Sequence, residues 1–348
     1  MPSFKSWEEV WDEEYDERSK IDASKICTFG IKCLDDRLTG ILPNDLIAIG
    51  ADSGKGKSQV ILDIAIHNCQ RGKKVALFFV EGGPKQAIQR IKWKLISKKY
   101  YEKYKNGTDM DLRKWLVNKT DNRLMFEEIE GLCQLEFKEL VGKNLQMYDF
   151  DSTFTIKDLE NSLGWFKEQR PGTYLMEDVL GVDLIIVDHL QYFDVSDSRN
   201  ENAEVTKIVK TCKDITNFYN VPIIMVSHLR KRDKDRGLPN QEDFFGSSNV
   251  PKIASQAITI TPEHSGADYQ YGIYPTFFRI CKSRTGAETE LATLVNFNSR
   301  TGEYDNHYDV YTLVQDKPHT KLEQGRLPKW ARAYDNINQK ILAEIANG

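Results

Sequence analysis

The sequence predicts an α/β fold: a mostly parallel central sheet flanked by helices, followed by a C-terminal β-hairpin region. Three observations predict it. A glycine-rich loop, Ala51-Asp-Ser-Gly-Lys-Gly-Lys57-Ser58, joins an apolar run of strand length to a run with helical spacing. Further strand-length apolar runs then alternate with helix-like segments up to about residue 255. Beyond that point the runs become closely spaced, as in adjacent antiparallel strands.

Taken in order, residues 1–29 are an acidic arm in which Trp7, Val10, Trp11 and Tyr15 recur at helical spacing. A short helix with such a stripe must bury it on its own core or on a neighbouring copy. The main domain is expected over 30–315. In it Asp45–Gly50 is a buried strand, and Gln59–His67 is a helix packed on the sheet. Val75–Val80 is a second strand ending at Glu81, the stretch 85–142 is helical, and Leu145–Asp149 is a short strand. Val182–Asp188 and Pro222–Ser227 are strands separated by a helix over Glu204–Tyr219. Ala257–Thr261, Thr276–Lys282 and Thr289–Asn298 form the hairpin region, with Lys282–Gly286 as a turn. The polar segment 316–348, with Pro318 and Pro328, is expected to be an extended tail or arm.

Composition narrows the class. The 348 residues are 40% hydrophobic and 29% charged, ordinary for a soluble globular chain that buries a full core. A net charge of −4 sets up no global positive field, so any nucleic-acid contact must be a local basic patch. The six cysteines form no C-x-x-C pair, which argues against a zinc site and fits reduced thiols. No apolar signal core and no membrane-length apolar run is present, so a cytoplasmic chain without a membrane partner is expected.

The loop carries the first chemistry. It follows the phosphate-binding pattern G-x-x-x-x-G-K-[ST], with Ala51 at the first glycine position. Gly54 and Gly56 let successive N–H groups turn toward phosphate oxygens, Lys57 reaches the β- and γ-phosphates, and the Ser58 hydroxyl can ligate Mg²⁺. Ser53, Gly54, Lys55, Gly56, Lys57, Ser58 and Gln59 are therefore the candidate nucleotide contacts. Asp188 ends an apolar strand and is the candidate second Mg²⁺ ligand, with a helix cap as the plainer alternative. Glu81 could activate the attacking water, or it could belong to a polar Glu-Gly-Gly-Pro turn. His228, at the end of the third strand, could sense the γ-phosphate, or be a satisfied structural histidine. Lys282 and Arg284 alternate on one strand and share a face. They suit a neighbouring subunit's γ-phosphate, or they are two charges on a solvated edge.

In this order and spacing, the chain resembles the ATPase domain of the DnaB-type replicative ring helicases, including the helicase halves of phage primase–helicases. The matching strings are Thr39–Leu46, the phosphate loop, Phe78–Glu81, Ile186–Gln191, Val221–Leu229, Lys282–Gly286 and Phe297–Gly302, spread over residues 28–305. The resemblance implies a RecA-like fold, ATP and Mg²⁺ as cofactors, and a ring of subunits, a hexamer, with ATP sites between them. It assigns water activation to Glu81, the metal to Ser58 and Asp188, γ-phosphate sensing to His228, and action in trans to Lys282 and Arg284. Phe297 matches an aromatic that stacks on the nucleotide base. Three loops, 194–204, 229–240 and 244–252, would line a pore that holds single-stranded DNA. Arg230, Lys231, Arg232, Lys234 and Arg236 make the second loop the most cationic in the chain, and Lys252 belongs to the third. Such a run can also be a solvated loop, and Asp233 and Asp235 dilute its field. The Phe244–Lys252 segment departs from the family's usual basic or acidic Gly-Ser-rich form. Only the short arm precedes the ATPase core, so assembly would lean on Trp7 and Trp11, and a primase or loader, if used, would be a separate chain. A RecA-like recombinase and a regulatory or loader ATPase are the alternatives.

Overall fold

The computed structural model describes residues 4–105, 111–120, 123–149, 154–168, 181–193, 201–232, 236–245, 249–268 and 271–332. The fold is built on one sheet of ten strands in the order β10-β9-β8-β7-β6-β1-β5-β4-β2-β3. Its parallel half comprises β1 (Leu46–Ala51), β2 (Val75–Phe79), β3 (Leu145–Met147), β4 (Leu184–Asp188), β5 (Ile223–His228) and β6 (Gln256–Pro262). Every residue of β1, β2 and β4 is buried, as expected of parallel strands covered on both faces.

Helices supply both covers. On one face lie α3 (Lys57–Gln70), α4 (Gly83–Tyr104) and α6 (Arg123–Glu136), whose Ile61, Ile91, Tyr100 and Phe126 pack against alternate strand residues such as Ile47, Leu77 and Ile186. The opposite face is covered by α7 (Ile156–Glu168), α8 (Glu201–Tyr219) and the short α9 (Asn249–Ile253), burying Leu159, Val209 and Val250 against Ala48, Val187 and Met225. Each fully buried Leu, Ile or Phe contributes roughly 1.5–3 kcal/mol, so the two layers hold the strand ends in fixed register. Two shorter helices, α2 (Lys32–Leu38) and α5 (Leu112–Leu116), complete the described helical elements together with α1 (Trp7–Ser19).

The acidic arm is helical as its spacing predicts, but its stripe is not buried on this chain: Trp7 is 71% and Trp11 66% exposed. Beyond β6 the sheet continues antiparallel through β7 (Ile273–Ser283), β8 (Leu291–Asn298), β9 (Glu303–Val314) and β10 (Lys317–Lys321). The last two strands extend the hairpin region past the three runs read from sequence. Residues 317–321 pair with β9, so the segment expected as an extended tail begins inside the sheet. Its described end is docked as well: the Trp330 indole donates to Glu288 at 3.0 Å, stacks on Tyr308 and lies under the Arg37 guanidinium. Residues 333–348 lie outside the described residues. Among the described residues the six cysteines are free, and no helix is long and apolar enough to cross a membrane.

Candidate functional site

Because β1, β5, β4 and β2 are adjacent and parallel, their C-terminal ends form one edge, the usual place for a ligand in an open α/β sheet. Ala51 ends β1 opposite His228 at the end of β5, and Asp188 ends β4 opposite Phe79, two residues before Glu81. Ala51 is buried in regular strand pairing, and extended backbone needs no glycine there. Gly54 and Gly56 do need to be glycine: their φ angles are 72° and 86°, in the left-handed region. A Cβ at either would meet nothing within 4 Å, so backbone handedness and not crowding sets the requirement, and the space above the loop is open. Directly after Gly56, α3 begins at Lys57 and points its N-terminus into that space.

Lys57 is buried and folded back on its own loop. Its Nζ donates to the carbonyls of Ala51 and Asp52 and meets His228 Nδ1, each at 3.0 Å. Burial holds its pKa below the ordinary lysine value, against the pull of Asp188 and Glu81. Asp188 is fully buried, and neither carboxylate oxygen has a protein hydrogen-bond partner. Burial raises its carboxyl to about 6, helped by Glu81 and opposed by Ser58 and Lys57. Two orphaned carboxylate oxygens beside a serine hydroxyl and an open anion cradle fit a hydrated Mg²⁺ carried by a nucleotide. No group of three His, Cys, Asp or Glu side chains suited to a metal occurs among the described residues, and a phosphate-borne cation needs none.

Glu81 is half exposed and lies 3.6 Å from His189 Nε2. His189, joined to Asp188, is buried, and its Nε2 meets His228 Nε2 at 3.1 Å. Burial is the main cause that pushes the His189 pKa down to about 4, with His228 and Lys57 adding to it. His228 is lowered as well, by burial and Lys57. Gln191 braces the pair, accepting from the His228 backbone N–H at 3.3 Å and donating to Ser227 at 3.1 Å. His189 was not singled out from the sequence. The only signal that could have marked it is its place directly after the strand-ending aspartate.

The other expected residues are distributed unevenly. Lys55, at the loop tip, meets His264 Nε2 at 2.6 Å. Ser53 and Gly54 are exposed, whereas Gln59 donates to Asp63 at 2.8 Å on the flank of α3. Phe297 sits on β8, three strands from β1, tilted against Tyr304 at 4.9 Å. The turn after it reaches back, with Gly302 over Lys94 and Gln59. Lys282 and Arg284 do not stand free on a solvated edge. Lys282 donates to the carbonyls of Pro251 at 2.7 Å and Ala254 at 2.8 Å, and Arg284 to Ile253 at 3.2 Å, so both cap the C-terminal turn of α9. Burial lowers the Lys282 pKa to about 8, with Arg284 contributing.

The basic loop after β5 is split. Arg230 and Lys231 are exposed, and so is Lys252 on α9. Arg232 turns inward instead, donating to the Gly237 carbonyl at 3.1 Å with its side chain 10% exposed near Asp243. Its guanidinium closes the base of the loop and is not free to meet a phosphate backbone, which corrects the sequence expectation. Arg236 is half exposed and 3.6 Å from the same aspartate. Lys234, the segment 194–200 and the residues 246–248 lie outside the described residues.

Residues 27–306 match the DnaB-like helicase C terminal domain. Similar proteins include the replicative DNA helicase DnaB of Haemophilus influenzae, 23% identical over 80% of this chain and 55% of its own length. The DNA helicase/primase of Enterobacteria phage T3 is 22% identical over 81% of this chain and 46% of its own. The chain thus spans about half the length of the curated relatives it matches. Among solved structures, the ATPase domain of G40P superimposes with a TM-score of 0.67 at 18% identity, covering 87% of this chain and 99% of that one. A DnaB-like replicative helicase, solved with attention to its interactions with primase, gives 0.65 at 18% identity, covering 87% and 67%. Both share the RecA-like fold described above.

Proposed function

The chain belongs to the DnaB-like helicase C-terminal domain family, and from that premise we propose that it is the ATP-driven motor of a replicative DNA helicase, moving on single-stranded DNA as a ring. The observation that carries this reading is the convergence of Lys57, Ser58, Asp188, Glu81 and His228 on one edge of four adjacent strands. The loop N–H groups and Lys57 would hold the phosphates, and Ser58 with Asp188 would hold Mg²⁺. The cation, when bound, supplies positive charge against the β- and γ-phosphate oxygens. Glu81, half exposed beside that position, would orient a water and take its proton, and His228 would contact the γ-phosphate. Lys282 and Arg284 would reach the next subunit's site, with the exposed stripe of α1 docking on a neighbour. Arg230, Lys231 and Arg236, with Lys252, are the cations best exposed to grip DNA. A primase, a loader and the six-fold count belong to the same proposal.

The test is ATP hydrolysis with and without single-stranded DNA. Lys57→Ala is expected to abolish hydrolysis. Joint replacement of Arg230, Lys231 and Arg236 by alanine should leave the basal rate and remove most of the DNA stimulation, with affinity that weakens as salt rises. Hydrolysis that DNA does not change would replace the helicase reading with a regulatory ATPase, and open filaments with strand exchange would indicate a recombinase.

A further inference from the structure

The hydrogen-bond polarity of the Lys57–His228–His189 chain is determined by counting protons. An ammonium has three N–H donors and no acceptor. Lys57 Nζ meets three acceptor positions, the carbonyls of Ala51 and Asp52 and His228 Nδ1. His228 Nδ1 is therefore a lone pair, and the ring's one proton sits on Nε2. That Nε2–H points at His189 Nε2, 3.1 Å away, so His189 Nε2 is in turn a lone pair and its proton is on Nδ1. Glu81, 3.6 Å from the same Nε2, then faces an acceptor and is not held.

Once Lys57 transfers to phosphate, His228 Nδ1 loses its donor. To bond a phosphate oxygen it must carry the proton on Nδ1, which turns Nε2 into an acceptor. His189 can answer only with its proton on Nε2, and that N–H lies between His228 and Glu81. Each ring keeps one proton throughout, so the change is a pair of tautomer shifts with nothing exchanged overall. A histidine tautomer is normally fixed by the partner of its other nitrogen. His189 Nδ1 is buried and has no such partner, so the ring is free to adopt either form.

We infer that His189 is a positioning residue that reports to Glu81 whether Lys57 has moved onto a phosphate. With Lys57 on His228, His189 presents a lone pair and leaves the carboxylate unheld. With Lys57 on the nucleotide, it presents an N–H that fixes one carboxylate oxygen, leaving the other to take the water's proton. The inference rests on the ATP-hydrolysing part of the function proposed above and not on DNA.

The direct test is long-range ¹⁵N–¹H correlation on protein labelled at histidine, with signals assigned through His189→Phe and His228→Phe. Without nucleotide, His228 should be protonated on Nε2 and His189 on Nδ1. A non-hydrolysable ATP analogue with Mg²⁺ should reverse both. The opposite tautomers in the free protein, or bound analogue with neither ring changed, overturn the inference. Kinetically, His189→Phe should lower kcat about 10- to 100-fold with KM for ATP within about twofold, because the base is misplaced and the nucleotide contacts are intact. His189→Gln, which keeps a donor and an acceptor at the chain's end, should recover most of the rate. Wild-type kcat in the Phe variant, or Gln no better than Phe, counts against it. If DNA fails to stimulate hydrolysis the helicase reading falls while these measurements stand. The nucleotide-free spectrum depends on neither outcome.

Discussion

Asp188 is the side chain most at odds with its surroundings. An ionised carboxylate with both oxygens buried and unpaired costs the fold stability, and its carboxyl is accordingly raised to about 6. The sign follows from linkage: a raised folded value means the cost appears as pH climbs past the unfolded carboxyl value and is complete above about pH 6. Asp188→Asn should therefore stabilise the nucleotide-free protein by about 1–3 kcal/mol at pH 8, with the gain vanishing near pH 4. The same change should cut Mg²⁺-dependent hydrolysis by at least about 100-fold. Thermal melts across pH and a hydrolysis assay check both, and a variant less stable than wild type at pH 8 would contradict the account. At this scale the sequence is most readable where a polar residue ends an apolar run, as at Glu81, Asp188 and His228. His189 has no such signal: its partner is 39 residues further on, and only the adjacency of β4 and β5 joins them. Arg232 is misjudged for the opposite reason. Its place in a cationic run hides the inward contact with Gly237 and Asp243.

At the scale of elements, α9 is a five-residue helix that scarcely satisfies its own backbone, so its terminal carbonyls depend on outside donors. Lys282 and Arg284 supply them across from β7. Lys282→Ala is expected to speed amide exchange over residues 249–254 by about tenfold while exchange in β1 and β4 stays at the wild-type level. Unchanged exchange in that segment would mean the cap carries no weight. The strands that frame the phosphate edge are legible in the sequence because burial on both faces leaves unbroken apolar runs such as Leu46–Ala51. The outer antiparallel strands are less so. In Glu303–Val314 the pattern is mostly polar and aromatic, since one face is solvated and its pairing with β8 supplies the order. Lys317–Lys321 is an exposed edge with a proline and no apolar run at all, so only the hairpin with β9 marks it as a strand.

For the whole molecule, the trans arrangement is open to a complementation test. Lys57→Ala removes a subunit's own phosphate contact, whereas Arg284→Ala removes what it would offer a neighbour. Each variant alone should be inactive. Mixed in equal amounts and allowed to reassemble, about a quarter of interfaces would pair an intact loop with an intact cation, and hydrolysis should return to that order. A mixture as silent as its components would place both residues in the same subunit's site. The sheet order adds a further consequence. Lys282 and Arg284 are sheathed by the carbonyls of α9, the helix that also bears Lys252. A solitary chain and a phosphate-bearing neighbour thus compete for the same two cations. Whenever the neighbour wins, the turn that displays Lys252 loses its clasp, so chemistry at one subunit's boundary loosens the grip of the next.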